Sequence, residues 1–594
     1  MCRCGLGGVR ILPSAIDVFA GARPANWTDI DLQRQDLWSG SDWQTAFNWE
    51  RNAIPGSADD AFVRHGGSVN LNTANARVEN LQLSNSTDVG TQDNKLTVDS
   101  TTTIEHDSAS LRPFLRVHTN GELETNDLNV NGGELRLLGG LVDVQDDLIV
   151  RETNGQAGRI TGRGTIDVAD SLTNGGTIRP DGGTLTFTTS NALPVWNLDG
   201  IGGAGQVDAT VGDLVVNGQH LGDFDGLITI GQDRTVTFNS VWELGAPGQL
   251  IFQGGASASD AATIDGTNTT LSGPVDVDGY ALMNATVTLI TGATIDLAAN
   301  TASGTLEING QTTYDSGNTV GAGELSQDGN VLVTGTFSIG NAAYDWDGGP
   351  GSSDMVIAPN GDLSISASTI EPGADGGRDA SVTVNGGRLS VLTSWRLDGI
   401  LTLSETNGQA PVFDGVGGVT VANIAQFNVV GDATINSPVT IAGDMNVGQF
   451  GQTTGIASLN GDAEFGDTAS VTIEQGSILA INGNATYRGG THAGNGVAHG
   501  HVRSSHGGRR PARLPAHTGT GTPLRFPRQC RSLLRQHGLR DGTQQPDALH
   551  DVAGRSEPRP ERRGRRSGCF TGQLRQSEHH LDRRRPDWRW PDRR

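Results

Sequence analysis

Apolar residues in the segment 121–150 alternate with polar ones in short groups that recur every seven positions. The groups are Leu128 and Val130, Leu135 and Leu137, Val142 and Val144, and a further group that begins at Ile149. One polar residue separates the members of each pair, as a strand with one buried face requires. Asn131–Gly133, Gly139–Gly140 and Asp146–Asp147 lie between the groups and favour turns or bends. The segment therefore consists of very short strands.

Strands this short cannot bury a core alone, so neighbouring strands must stack. Three of them make a coil of about 21 residues, which predicts an all-β fold, a triangular right-handed parallel β-helix with Leu, Val and Ile inside. Antiparallel hairpins with two-residue turns would give a similar pattern. A row of tandem β-sandwich modules is therefore the alternative.

A larger repeat is superimposed on the short one. Leu306–Gly323 matches Leu479–Gly496 at nine of eighteen positions, and Trp242–Gly245 resembles Trp395–Asp398 at an offset of 153. These repeats predict duplicated modules. The expected organisation is an irregular segment 1–37, an aromatic entry module with the first strands 38–119, a β-solenoid 120–240, a β-repeat module 241–393, a truncated second module 394–497 and a tail 498–594.

The tail differs in composition from the rest of the chain. Residues 501–594 carry 22 Arg, no Lys, 9 acidic residues and 7 His, which gives +13, whereas residues 1–500 have 20 basic and 57 acidic residues, or −37. The second copy of the large repeat also loses its match near Val497. We interpret 498–594 as a disordered frameshift product without a packed core, with a nucleic-acid-binding or polyanion-binding arm as the alternative.

Charge and cysteine usage limit the function classes. The acidity of residues 1–500 argues against nucleic-acid partners. Cys2 and Cys4 lie in the first five residues and Cys530 and Cys569 lie in the tail, so the repeats do not depend on disulfides or cysteine-bound metals. No stretch of about twenty apolar residues predicts a membrane span, and no secretion signal is visible in this chain.

The opening module carries a family resemblance. Its pattern is Trp38, Trp43, Asn48–Trp49, Pro55, Asp59–Asp60 and Phe62–Val63. It resembles the entry segment of large secreted surface proteins of bacteria, of a planctomycete-like type, with autotransporter-passenger-type β-strand repeats. The resemblance implies export, an extracellular or cell-surface location and an adhesive role, with extracellular glycans or other surface proteins as partners.

Candidate chemistry is limited to acidic turns. Asp223 with Asp225 and Asp276 with Asp278 each offer two carboxylates to Ca²⁺, as Asp143, Asp146 and Asp147 offer three. Ca²⁺ requires six to eight converging oxygens, and Asp is also a common turn residue without a ligand. Trp196, Trp242 and Trp395 either stack on a sugar or pad strand edges at module junctions.

No catalytic or cofactor-binding motif is recognisable, and no cofactor is predicted beyond weak Ca²⁺ sites. The sequence thus predicts a non-enzymatic extracellular structural or adhesive repeat protein. A carbohydrate-binding or polysaccharide-degrading β-helix protein is the alternative.

Overall fold

The structure is a computed structural model. It describes residues 28–31, 41–49, 53–64, 68–85, 87–107, 111–190, 195–200, 204–220, 222–297, 304–340, 343–346, 354–367, 370–372, 381–448 and 454–503. Within these ranges the chain is nearly all β and contains no α-helix, only the short 3-10 turns Ala46–Asn48 and Ala258–Asp260. Hence no helix of the described chain is long and apolar enough to cross a membrane.

The strands follow one another along the whole described chain. The first are β1 Thr28–Asp31, β2 Ser41–Asp42, β3 Asp59–Val63, β4 Ser68–Asn70, β5 Ala76–Val78, β6 Asn80–Leu83, β7 Asp88–Gly90, β8 Lys95–Glu105, β9 Phe114–His118, β10 Glu122–Asn131, β11 Glu134–Val144, β12 Asp147–Arg151, β13 Arg159–Val168, β14 Ser171–Gly175, β15 Thr177–Thr188, β16 Val195–Trp196 and β17 Gln206–Ala209. Next come β18 Val211–Val216, β19 Gln219–His220, β20 Leu227–Gly231, β21 Arg234–Phe238, β22 Trp242–Leu244, β23 Gln249–Gln253, β24 Ala262–Leu271, β25 Pro274–Asp278, β26 Tyr280–Leu289, β27 Thr294–Asp296, β28 Thr305–Ile308, β29 Thr312–Val320, β30 Glu324–Gln327, β31 Val331–Ile339, β32 Ala343–Trp346, β33 Asp354–Ile357 and β34 Asp362–Ile365. The last are β35 Ile370–Pro372, β36 Ser381–Asn385, β37 Arg388–Val391, β38 Trp395–Leu397, β39 Ile400–Ser404, β40 Val412–Asp414, β41 Val419–Val421, β42 Gln426–Val430, β43 Ala433–Ile435, β44 Val439–Ile441, β45 Asp444–Val447, β46 Ile456–Leu459, β47 Ala463–Phe465, β48 Ser470–Ile473, β49 Ile478–Tyr487, β50 Thr491–Ala493 and β51 Val497–Arg503.

The strands form a parallel β-solenoid of about 18 turns. Leu123 pairs with Val142, Leu128 with Leu148 and Leu135 with Ile160. These pairs lie on three successive faces, and the number of residues between the partners of each pair is close to the predicted coil length. The coil inferred from the sequence is thus confirmed. The β-sandwich alternative is wrong, because each described strand pairs in parallel with strands of neighbouring turns. The hand of the coil stays a prediction.

The core is a set of apolar columns that run through the solenoid. One column passes through fifteen strands from β4 to β37, and fourteen of its members are Val, Leu or Ile. Burying each of these side chains stabilises the fold by about 1.5–3 kcal/mol. Its members in order are Val69, Val89, Leu115, Leu135, Ile160, Ile178, Val207, Ile228, Leu250, Val275, Ile295, Thr319, Ile339, Ile365 and Val391.

The seven-residue pattern is confirmed for three of its four groups, whose Leu and Val side chains are fully buried. The expectation for Ile149 is wrong. Leu148 and Val150 face the core and Ile149 lies on the outer side of β12. The corner at Asp146 and Asp147 takes one residue fewer than the two preceding turns, which shifts the inward positions by one.

Glycines form one corner of successive coils. Gly139 has φ +107°, Gly162 has φ +102° and Gly182 has φ +71°. Each lies at a break in the strand register, where the chain bends from one face to the next. A Cβ atom on Gly162 would lie 1.9 Å from the carbonyl oxygen of Leu137 in the previous coil. Side chains are therefore excluded from this point of the corner by the backbone of the coil below.

The aromatic entry module has a closed core at its N-terminal end. Trp43 and Trp49 are fully buried with ring centroids 4.7 Å apart, and Trp49 Nε1 donates a 2.8 Å hydrogen bond to the Trp43 carbonyl. Asn48 donates to the Asp42 carbonyl at 3.0 Å, which fixes the turn between them. These contacts explain the spacing of the motif, whose first member Trp38 lies outside the described residues.

The module boundaries inferred from the sequence do not interrupt the solenoid. Trp242 pairs with Thr269 across β22 and β24, and Trp395 pairs with Val419 across β38 and β41, so the ladder continues through both junctions. At the other end, β51 pairs with β49 and extends six residues beyond the predicted boundary at 497. Residues 504–594, the remainder of the predicted frameshift tail, lie outside the described residues.

Replacing Thr319 by valine is expected to stabilise the protein by about 1 kcal/mol or more. Thr319 is only 1 % exposed within the apolar column, and its hydroxyl has no hydrogen-bond partner among the described residues. Valine keeps the shape and removes the cost of an unsatisfied buried group. Equilibrium denaturation measures the change. Thr313→Val, on the outward side of the same strand, is the control with an expected change below about 0.5 kcal/mol. A destabilised Thr319→Val variant would contradict the assignment.

Candidate functional site

A surface cavity lies on one outer face of the solenoid. It measures about 290 Å³ and lies over the adjoining strands β11, β13, β15 and β17. Every lining side chain is charged, a hydroxyl or an amide. The lining residues are Glu134, Arg136, Arg159, Thr161, Thr177, Arg179, Asp181, Gln206 and Asp208.

Glu134 organises the upstream end of this cavity. Its side chain is only 6 % exposed. It accepts hydrogen bonds from Arg136 Nε at 2.9 Å and from the Thr161 hydroxyl at 2.7 Å. The Arg136 guanidinium also lies 5.1 Å from the ring centroid of Phe114 in the preceding coil. A buried carboxylate and an aromatic ring thus hold Arg136 in one orientation while 44 % of its side chain stays exposed.

Arg159 brings an uncompensated charge to the cavity. Its side chain is exposed and forms no ion pair with the described residues. The neighbouring Arg112 donates to Gln156 at 3.1 Å, but its second terminal nitrogen is buried and has no hydrogen-bond partner among the described residues. Burial and the charge of Arg159 lower the pKa of Arg112. Positive charge therefore exceeds its local compensation at this point.

Arg179 and Asp208 form the downstream end of the cavity. The distance from Arg179 Nε to Asp208 Oδ2 is 3.5 Å, which is a loose ion pair, and the Arg179 side chain is 45 % exposed. Asp208 Oδ1 accepts hydrogen bonds from the Thr210 amide and hydroxyl. Arg179 is therefore available to a ligand at little cost.

Sequence reasoning missed this cavity, although a signal is present. Arg116, Arg136, Arg159 and Arg179 follow one another at intervals close to one coil. Basic residues are rare before the tail, since residues 1–500 have 20 basic against 57 acidic. The recurrence of arginine was therefore detectable once the length of the coil had been inferred.

The four Ca²⁺ candidates are placed in two pairs on different coils. Asp223 is exposed, and the Asp225 amide donates to the Asp199 carboxylate at 2.6 Å. Asp276 accepts a 2.7 Å hydrogen bond from Gln249, and Asp278 ends β25 opposite Gln253. Neither pair belongs to a group of three convergent acidic side chains in the described chain. Their contacts are those of turn and strand residues.

A different acidic group lies at a corner of the solenoid. Asp146, Asp147 and Asp170 bring one carboxylate oxygen each within 4.8 Å of one another. The sequence-based grouping of Asp143 with Asp146 and Asp147 is replaced by this one, because Asp143 lies on a flat face and Asp170 lies at the corner one coil later. Asp147, Asp127 and Asp170 raise the pKa of Asp146, so the carboxylates repel one another.

Asp143 belongs to a second acidic column. It stacks between Glu124 and Asp167 of the adjoining coils. The pKa of Asp143 is raised, mainly because the side chain is partly buried and next because the charge of Asp167 lies close to it. A raised pKa means that the folded state binds the proton more tightly than the unfolded state. Stability from this group is thus fully present below the unfolded pKa of 3.8 and is lost as pH rises through the folded pKa.

Asp143→Asn is therefore expected to stabilise the protein at pH 7 by roughly 0.2–1 kcal/mol, the range for relieved cross-strand repulsion. The gain should disappear near pH 3, where the wild-type carboxyl is protonated, and should shrink in high salt. Thermal unfolding at the two pH values measures both effects. Asp181→Asn, outside this column, is the control. An equal gain at both pH values would contradict the electrostatic cause.

The tryptophans considered for sugar stacking belong to the core. Trp196, Trp242 and Trp395 are 0 %, 2 % and 5 % exposed. Trp242 stacks on Phe238 at a centroid distance of 4.6 Å, and Trp395 packs against Phe413 at 6.2 Å. No face of these indoles is free for a sugar ring, which favours the structural interpretation.

The chain matches no known protein-family model, no curated protein sequence and no solved structure. Its function is therefore inferred from the solenoid, its surface and the sequence resemblance of the entry motif.

Proposed function

We propose that this chain is a non-enzymatic extracellular structural or adhesive repeat protein of a bacterial cell surface. The observation that carries the proposal is the continuous parallel ladder of about 18 turns. At about 4.8 Å per turn, the solenoid extends for roughly 85 Å. Such a rod separates what is attached at its two ends and presents the same flat faces along its length.

Two further observations support the proposal. The described residues all fall within one compact unit, so the rod has no division at the repeat boundaries. The acidity of residues 1–500 keeps a long β surface hydrated and discourages association between copies. The resemblance of the entry motif to bacterial surface proteins supports the proposed location.

The cavity over β11, β13, β15 and β17 favours a second candidate, a carbohydrate-binding or polysaccharide-degrading protein. Its mixture of guanidinium, carboxylate and hydroxyl groups suits a ligand rich in hydroxyls. Binding of a glycan is compatible with the adhesive proposal, whereas cleavage is not.

Two measurements test the proposal. Antibodies against the solenoid should label intact cells of the native host, and external protease should remove the label. The purified chain should adhere to envelope material or to host glycans without shortening them. Labelling only after permeabilisation would contradict the location. New chain ends in a glycan, measured as reducing or unsaturated sugar ends, would contradict the non-enzymatic role.

A further inference from the structure

The outer face of β9, β11, β13 and β15 has a charge balance unlike the rest of the chain. On the cavity side of the glycine corner its arginines are Arg116, Arg136, Arg159 and Arg179, with Arg112 just before β9. Its carboxylates are Glu134 and Asp181, with Asp88 of β7 and Asp208 of β17 on the flanking strands. Five positive and four negative groups give +1, whereas residues 1–500 carry 20 basic against 57 acidic residues. Arginine is therefore concentrated where the remaining surface is negative.

These arginines are not equally committed to internal partners. Arg116 makes a two-pronged pair with Asp88, and Arg136 is held by Glu134. Arg159 has no carboxylate partner in the described chain, and Arg179 has only the loose contact to Asp208. The guanidinium groups of Arg136, Arg159 and Arg179 thus lie on three consecutive coils, which are about 4.8 Å apart. The first is fixed, the second is free and the third is loosely held.

We propose that this arginine face binds a carboxylate-bearing polysaccharide, with Arg159 and Arg179 as the ligand-binding residues and Glu134 as the residue that positions Arg136. The inference rests on the proposed adhesive function and names its ligand class. Guanidinium groups pair with carboxylates through two parallel hydrogen bonds. A carboxylate at Arg159 would also relieve its repulsion of Arg112.

The lining favours an acidic glycan over a phosphate polymer. Asp181 and Asp208 can accept hydrogen bonds from the hydroxyls of a glycan, whereas a polyphosphate offers them no hydroxyl donor. Thr161, Thr177 and Gln206 add neutral donors and acceptors between the arginines. Phe114, which could stack on a nucleobase, is covered by Arg136.

Calorimetric titration of the full chain with an oligogalacturonate tests the proposal. We expect saturable binding that weakens with added salt, and no binding of a neutral galactan. Arg159→Ala with Arg179→Ala should weaken binding by about tenfold or more, because two charge-assisted contacts are lost. Arg159→Lys keeps the positive charge but loses the two parallel donors of the guanidinium. Its affinity should therefore lie between that of the wild-type chain and that of the double alanine variant. Arg396→Ala removes an arginine that is 73 % exposed on a distant coil and should change affinity by less than about twofold.

Three results would overturn the proposal. The first is that the wild-type chain does not bind oligogalacturonate. The second is that Arg396→Ala weakens binding as much as the double alanine variant does. The third is that polyphosphate binds as tightly as the oligosaccharide and loses its binding in the same variants. Circular dichroism of each variant checks the fold, and the exposed single variant Arg159→Glu provides a second test in which binding should also be lost. Failure here leaves the surface-labelling test untouched, so the ligand class and the location are judged separately.

Discussion

Leu250→Asp is expected to destabilise the solenoid by more than about 4 kcal/mol and to abolish unfolding as a single transition. Leu250 is fully buried in the central apolar column between Ile228 and Val275. A carboxylate there has no partner and loses its hydration, and the leucine contacts are lost as well. Because each coil contacts only its neighbours, the damage should divide the ladder into two parts that unfold separately.

Denaturant unfolding followed by circular dichroism measures this effect, and limited proteolysis locates the break. Ile251→Asp is the matched control, because Ile251 lies on the outer side of the same strand. Its cost should stay below about 1 kcal/mol, mostly from repulsion by Asp276 of the next coil. Equal losses for the two variants would mean that the inward and outward faces of β23 are assigned wrongly.

Gly162→Ala is the second substitution with a large expected effect, about 3 kcal/mol or more. Its φ of +102° is disfavoured for residues with a side chain, and the added Cβ would overlap the Leu137 carbonyl oxygen at 1.9 Å. The clash is with backbone, so relief requires that two coils move apart at a corner where their hydrogen bonds are made. Equilibrium denaturation measures the loss.

Gly155 provides the control for conformation alone. It also has a positive φ, +74°, but an added Cβ would meet nothing within 4 Å. Gly155→Ala should therefore cost only about 1–2 kcal/mol. If the two variants lost the same stability, backbone conformation would account for both, and the close approach to Leu137 would contribute nothing.

The core was predictable from the sequence because an alternation with period two reports directly which side chains face inward. Leu128, Val130, Leu135 and Leu137 were placed correctly on this basis. Ile149 was not, because the length of a corner varies and periodicity does not record it. For the same reason the length of each coil could not be predicted. The coil from Leu135 to Ile160 contains more residues than the next coil, from Ile160 to Ile178.

The arginine face was harder to predict for the same physical reason. Its residues lie in four different coils, and they become neighbours only when the register of each ladder is known. The sequence spacing shows that arginine recurs about once per coil. It does not show that Arg159 aligns with Glu134 and so lies two positions before the column that holds Arg136. The pairs Asp223 with Asp225 and Asp276 with Asp278 stay predictions as weak Ca²⁺ sites, and the structure places them in turns and strands of different coils.

The orientation of the ladder also determines how the rod responds to force. Its strands run across the axis, so tension along the axis loads the backbone hydrogen bonds between one coil and the next. The end coil can peel away while the coils behind it stay intact. Leu306 and Leu325 occupy the same position on successive coils, and a coil of this length releases about 65 Å of extended chain for about 4.8 Å of lost rod. A rod of this construction lengthens in steps under load and absorbs work at each one.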